Sequence, residues 1–478
     1  MGKSTTLIMF CSLLLVSVSL NGCMGEGRTR ESFHGNECQI DRLTALEPSN
    51  RIEAEGGLTE VWDSQDQQFQ CSGVAVIRRT IEPNGLLLPS FISAPELVYI
   101  EQGHGISGLM MPGCPETFES MSQQPFGEQE RGMRGSRFQQ QDQHQKIRQL
   151  HQGDILALPA GVAHWAYNNG QEPLVAVILI DSSSHHNQLD KDYPRRFYLA
   201  GRPEQEQSRH QYRGGESQKS SGNLFSGFSP RTLADSFGVS EEIAQKLQSE
   251  QDERGNIVKV QEGLHVIKPP SRSYEEERRP YRRYAAAPNG VEETVCSARL
   301  TSNIDDPSKA DVYSPEAGRL TTLNSFHLPI LTHLRLSAAK GVLYRNAIMA
   351  PHYNLNAHSI IYGVRGSGRI QIVNSQGNSV FDDELRQGQV VVVPQNFAVI
   401  KQASDEGFEW VSFKTSENAM FQSLAGRTSA IRAMPVEVIS NVYQISNEQA
   451  YRLKFSRSET TLFRSGSQKT RRSREIDA

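Results

Sequence analysis

Lysine is scarce in this chain, with 13 residues among 478 against 37 arginines, and cysteine is scarcer, with six. No Asn-x-Ser/Thr triplet occurs anywhere, so N-linked glycosylation is not expected. Beyond residue 25 no apolar run approaches the ~20 residues that a membrane-crossing helix needs, and no membrane is expected as a partner. The net charge of −4 offers no surplus of positive charge for a polyanion, which argues against a nucleic-acid partner. With 478 residues there is room for two or three domains with substantial cores.

The one long apolar run, LIMFCSLLLVSVSL after Lys3, is followed by small residues and reads as a secretory signal peptide over residues 1–25. Cys11 and Cys23 fall in that leader, which leaves Cys38, Cys71, Cys114 and Cys296 in an oxidising compartment, where four cysteines allow three pairings. Gln, Asn and Arg total 94 residues, many in tracts such as RFQQQDQHQKIRQ (137–149). So much side-chain nitrogen, spread through tracts instead of placed at a few points, suits a store of amino acids better than a catalyst. The stretch 268–288, KPPSRSYEEERRPYRRYAAAP, is too charged and proline-rich to pack and reads as an exposed tether. It ends at Asn289-Gly290, a turn signal with no strand before it. Division there gives residues 25–289 a net charge of −8 and residues 290–478 a net charge of +3.

The chain repeats itself. HQGDILALPAGVAHW (151–165) lies on RQGQVVVVPQNFAVI (386–400), with Gly153 on Gly388 and Pro159 on Pro394 at one offset of 235 residues. Upstream, LLPSFISAPELVYIEQG (87–103) matches MAPHYNLNAHSIIYGVRG (349–366), with Pro89 on Pro351 at an offset of 262. The difference fits a polar insertion in the first copy, about residues 120–146. Within each copy the apolar runs are short, β-branched and bounded by Gly or Pro, as in VAVIRRTI (74–81), DILALP (154–159) and QVVVVP (389–394). Such spacing predicts an all-β sandwich or closed barrel, twice over. A helical stretch follows each copy, 233–248 with Ser240 as a helix start and 430–445 with Pro435 as another. GSGRIQ, from Gly366, lacks the frame of a dinucleotide site and is read as a hairpin.

The octet NGVEETVC (289–296) resembles the processing junction of the legumin-type (11S) seed storage globulins. The likeness extends through CQIDRLTALEP (38–48), GLTEVWD (57–63), PNGLLLPSFISAPELVYIEQGHG (83–105) and GCPETF (113–118). It implies a fold of duplicated cupin barrels (double-stranded β-helix, or jelly roll), each with a helical extension. Also implied are an acidic chain over 26–289, its barrel at about 38–265, a processing linker at 268–289, and a basic chain over 290–478, its barrel at about 296–460, ending in a basic tail. The resemblance further implies disulfides Cys38–Cys71 and Cys114–Cys296, and cleavage between Asn289 and Gly290 by an asparaginyl endopeptidase. Its remaining implications are a homotrimer that becomes a hexamer after processing, transport from the ER to the storage vacuole, and kinship with food allergens. In that family the helices clasp neighbouring subunits; the alternative is that they pack on their own barrels.

Cupin enzymes hold a metal with ligands from two motifs, G-x5-H-x-H-x3,4-E-x6-G and G-x5-P-x-G-x2-H-x3-N. The first copy satisfies the second motif with Gly153, Pro159, Gly161, His164 and Asn168, but places Phe91, Ser93 and Leu97 at the ligand positions of the first. The second copy has His352, followed by Asn354, with His358 near the Glu position and Val399 in place of the motif-two histidine. A divalent metal needs three or four converging ligands, so no metal, cofactor or catalytic residue is assigned. His164 reads as a hydrogen-bonded core residue, His185-His186 as a solvent-facing loop pair, and KTRRSR (469–474) as a frayed tail. Two rival functions remain to be weighed. One is a metal-dependent enzyme built on His352 and His358 or on His164; the other is a small-ligand binder with Phe91 and Trp165 at a barrel mouth.

Overall fold

Alternation along the strands decides where each side chain goes. In Glu96–Gln102, Val98 and Ile100 point into the first barrel, whereas Leu97 and Tyr99 point out of it and join a second core. The computed structural model describes residues 38, 40–114, 118–119, 143–189, 194–202, 222–249, 251–264, 296 and 298–464. The leader, most of the polar insertion, the tether with Asn289 and Gly290, and the basic tail lie outside the described residues.

The first barrel closes one sheet, in the order Asn50–Ala54, Gly57–Val61, Ala75–Ile81, Leu174–Ile180, Glu96–Gln102, Asp154–Leu158 and Thr301–Asn303, over another. The second sheet runs Arg196–Tyr198, Gly85–Ile92, Ala163–Tyr167, His104–Met110 and Ile147–His151, with Ile257–Lys259 added beside Gly85–Ile92. In the second barrel two long strands, Ser359–Val373 and Ala398–Lys414, cross from one face of the barrel to the other, so its strands form a single bent sheet. Gly366 lies inside the first of these strands, which corrects the expected hairpin. Its φ of +66° and the register shifts on either side bend the strand, and an added Cβ would meet the Gly407 carbonyl oxygen at 2.3 Å. Gly103, at φ +82°, turns the same corner in the first barrel.

Each barrel also carries a bulge at the matched proline. The register slips between Leu87 and Ser90 opposite Ala163–Tyr167, and between Met349 and His352 opposite Ala398–Lys414. Proline has no N–H for a ladder, so an interior strand tolerates it at a bulge. The freed carbonyls of Pro89 and Pro351 accept from the backbone N–H of Leu199 and Leu424.

The barrels meet through their outward faces. Leu97, Tyr99, Val177 and Leu179 of the first pack with Ile360, Val392, Val411 and Phe413 of the second. Strands buried on both sides read as unbroken apolar runs, which accounts for VVVV at Val390–Val393. A polar seam crosses this core: Arg78 donates to the Tyr362 hydroxyl at 3.1 Å, which donates to Glu101 at 2.9 Å, and Lys340 donates to the Tyr99 hydroxyl at 2.9 Å.

The helical extensions pair mainly with themselves. Pro230–Phe237, capped by Ser229, lies against Glu241–Gln248, capped by Ser240, and Val436–Tyr443 lies against Asn447–Phe455. Leu233, Ala234 and Ala244 form a small core of their own, while Phe237, Ile243, Val438, Val442, Tyr443 and Tyr451 stay exposed.

Candidate functional site: barrel interiors and chain junction

In the first barrel His164 is buried opposite Ser90. Ser90, not Phe91, is therefore the inward residue, because the bulge at Pro89 shifts the strand by one position. Phe91 points the other way and stacks on Phe197 with ring centroids 5.2 Å apart. Trp165 points away from His164 and packs with Ile106, Ile147 and Tyr167, so neither aromatic lines a barrel mouth. Ser93 turns into a loop and donates to Asn187 at 3.0 Å, and Leu97 belongs to the core between the barrels. Burial holds the His164 imidazole near a pKa of about 4, so it is neutral at ordinary pH, and its Nδ1 is buried without a hydrogen-bond partner, where the sequence led us to expect a bonded one. Beside it the buried pair Arg196–Glu96 balances its own charge.

In the second barrel the corresponding positions hold His352 and Val399, which face each other. A carbonyl only accepts, so His352 Nδ1 donates to Ala350 O at 2.8 Å and leaves Nε2 as an acceptor, 3.5 Å from Lys401 Nζ. Burial, then the Lys401 charge, holds this imidazole well below its usual pKa. His358 does not join it: its Nδ1 accepts from the backbone N–H of Gln395 at 3.2 Å, just before strand Ser359–Val373 begins. Among the described residues no three His, Cys, Asp or Glu side chains converge as metal ligands. His185 and His186 are exposed and lie ring to ring at 4.0 Å.

Lys401 and Lys414 received no role from the sequence, yet both point into this barrel. Strict alternation carried the signal, since Lys401 shares its face with Val399 and Ala403, both buried.

At the junction, disulfides join Cys38 to Cys71 and Cys114 to Cys296. The second of these ties the first barrel to the stretch after residue 290 across 182 positions. That same stretch continues into Thr301–Asn303, which pairs with Asp154–Leu156 in the first barrel's own sheet, with Leu300 buried in that barrel's core. In return, residues 40–46 leave the first barrel for the second. Ile40 and Leu43 enter its core, the Leu43 N–H donates to Val380 O, and Leu46 bridges Val390.

The cupin family matches residues 43–205 and 302–451. The chain is 51% identical over 512 residues to an 11S globulin seed storage protein of Carya illinoinensis, with 100% of both chains covered. It is 52% identical to the 11S globulin seed storage protein Ana o 2.0101 of Anacardium occidentale, over 95% of this chain and 96% of that one. Among solved structures it is similar to procruciferin, the 11S globulin from Brassica napus, with a TM-score of 0.77 at 44% identity over 91% of this chain and 99% of that one. The coconut allergen cocosin gives a TM-score of 0.77 at 46% identity over 90% and 100%. These relatives are storage globulins, not enzymes.

Proposed function

This chain belongs to the 11S globulins, the cupin-fold seed storage proteins, and from that premise we propose a route by which it reaches its stored form. The precursor trimerises in the ER through the apolar faces of its helical extensions and travels to the storage vacuole. An asparaginyl endopeptidase then cuts between Asn289 and Gly290, and two trimers stack into a hexamer. The acidic chain 26–289 and the basic chain 290–478 stay together. The barrels serve as scaffold, and the chain has no enzymatic role.

What supports this reading is the exchange across the junction. Residues 298–304 sit in the first barrel and residues 40–46 sit on the second, so either product of the cut keeps a segment embedded in the other. Cys114–Cys296 adds a covalent tie. A cut between residues 46 and 298 leaves both embedded segments in place.

The test is a denaturing gel of protein purified from its source, with and without reductant, followed by amino-terminal sequencing of the smaller band. One band that splits in two on reduction, the smaller starting at Gly290, is the expected result. An uncut chain indifferent to reductant would overturn the proposal.

A further inference from the structure

Among the described residues, the cavity inside the second barrel is lined by two lysines and no acid. Lys401 is 4% exposed, its Nζ 3.5 Å from His352 Nε2 and 5.3 Å from the Trp410 ring centroid. Lys414 Nζ donates to Asn354 Oδ1 at 3.0 Å and Ser359 Oγ at 2.9 Å. Both lysines line a cavity of about 40 Å³ with His352, Asn354, Met349 and Phe421, and no Asp or Glu is among its lining residues. Asn354 is 2% exposed, and its Nδ2, whose two N–H groups only donate, is buried with no hydrogen-bond partner among the described residues.

The registers of the two barrels place these residues at equivalent positions. Glu96 pairs with Ile180 in the first barrel, and Ser359 pairs with Lys414 at the same place in the second. Leu87 faces Ala166 where Met349 faces Lys401. Arg196 pairs with Ile92 where Phe421 pairs with Asn354. The second barrel thus has lysines at two positions that are apolar in the first, and serine where the first has a carboxylate.

We propose that the second barrel binds one small monovalent anion, a halide or a short carboxylate, between the ammonium groups of Lys401 and Lys414 and the amide N–H groups of Asn354. The cavity sets the size. A water-sized guest takes about 10–15 Å³ on this scale, so the space holds roughly three or four non-hydrogen atoms. The donors set the sign, since everything polar that lacks a partner there donates. Burial without a carboxylate pushes the Lys414 amine down to about 7 and the Lys401 amine well below its usual value; a bound anion supplies the missing negative charge and keeps both protonated. The inference does not rest on the storage reading or on the cut at Asn289.

The test uses the full recombinant chain in halide-free buffer at low ionic strength. Its melting temperature is followed against sodium bromide and against sodium acetate, with sodium sulfate at matched ionic strength as control, and crystals soaked in bromide are measured for anomalous scattering. A bromide peak in contact with both lysine Nζ atoms and a saturable rise in melting temperature with bromide are expected. If acetate displaces the bromide peak, the site takes carboxylates as well; if it does not, the site is a halide site. Asn354→Asp supplies a built-in carboxylate beside Lys414 and is expected to weaken bromide binding at least about tenfold, the loss of one charge-assisted hydrogen bond. Lys414→Met gives the same readout should Asn354→Asp fail to fold. An empty cavity in the bromide map, or a stabilisation that sulfate reproduces and both variants retain, would overturn the proposal.

Discussion

The two barrels share a plan and differ in how their interiors handle charge. The first buries Arg196 against Glu96 beside a neutral histidine; the second buries Lys401 and Lys414 with no carboxylate in the cavity. Turns, bulges and corners match position by position while the polar contents do not. Backbone geometry is therefore fixed by glycines and prolines, and the interior side chains are free to diverge within it.

Removing the acid of the balanced barrel is the harshest way to probe this contrast. Glu96→Gln removes the carboxylate that faces the buried Arg196 guanidinium, and a loss of about 3–5 kcal/mol is expected from denaturant unfolding of the unprocessed chain. A loss under about 1 kcal/mol would mean that the pair is not balanced as described.

Acid comes next. His164 has a folded pKa depressed to about 4 against 6.5, so the unfolded chain takes up the proton first and stability falls as pH drops from 6.5 towards 4. The effect is at most about 3.4 kcal/mol. His164→Val, which copies Val399 of the other barrel, should flatten that part of the pH profile.

The shared corners offer a smaller test. Gly103→Ala and Gly366→Ala both place a Cβ at positive φ, 2.5 Å from the Pro173 carbonyl oxygen and 2.3 Å from the Gly407 carbonyl oxygen respectively. Each should cost more than about 1 kcal/mol in thermal or denaturant unfolding, and by similar amounts if the corners are equivalent. Smallest of all, Lys414→Met in anion-free buffer should change stability by within about 1 kcal/mol. The lost hydrogen bonds to Asn354 and Ser359 are offset by removing a buried cation.

Much of this was legible from residues. Period-two runs marked the strands, the 235-residue offset marked the repeat, and Ser240 and Pro435 open helices as read. The ligand positions were misread by one residue at Phe91 because a bulge inserts a position that spacing alone does not reveal. Gly366 passed for a hairpin because a bent strand and a turn use the same residue. Helix Asn447–Phe455 went unread, although Ser446 and Gln449 form a capping box, because its apolar residues do not gather on one stripe. The exchange of residues 40–46 and 298–304 between barrels left no trace in composition, since each segment is only a short apolar stretch until its partner is known.

That exchange makes the strongest demand on the molecule. The most direct test reduces the processed protein under native conditions and asks by size-exclusion chromatography whether the two chains still elute together. Continued association, with separation only in denaturant, is what interlocked barrels require. Separation on reduction alone would show that Cys114–Cys296 holds together chains that do not interlock, and would contradict the account.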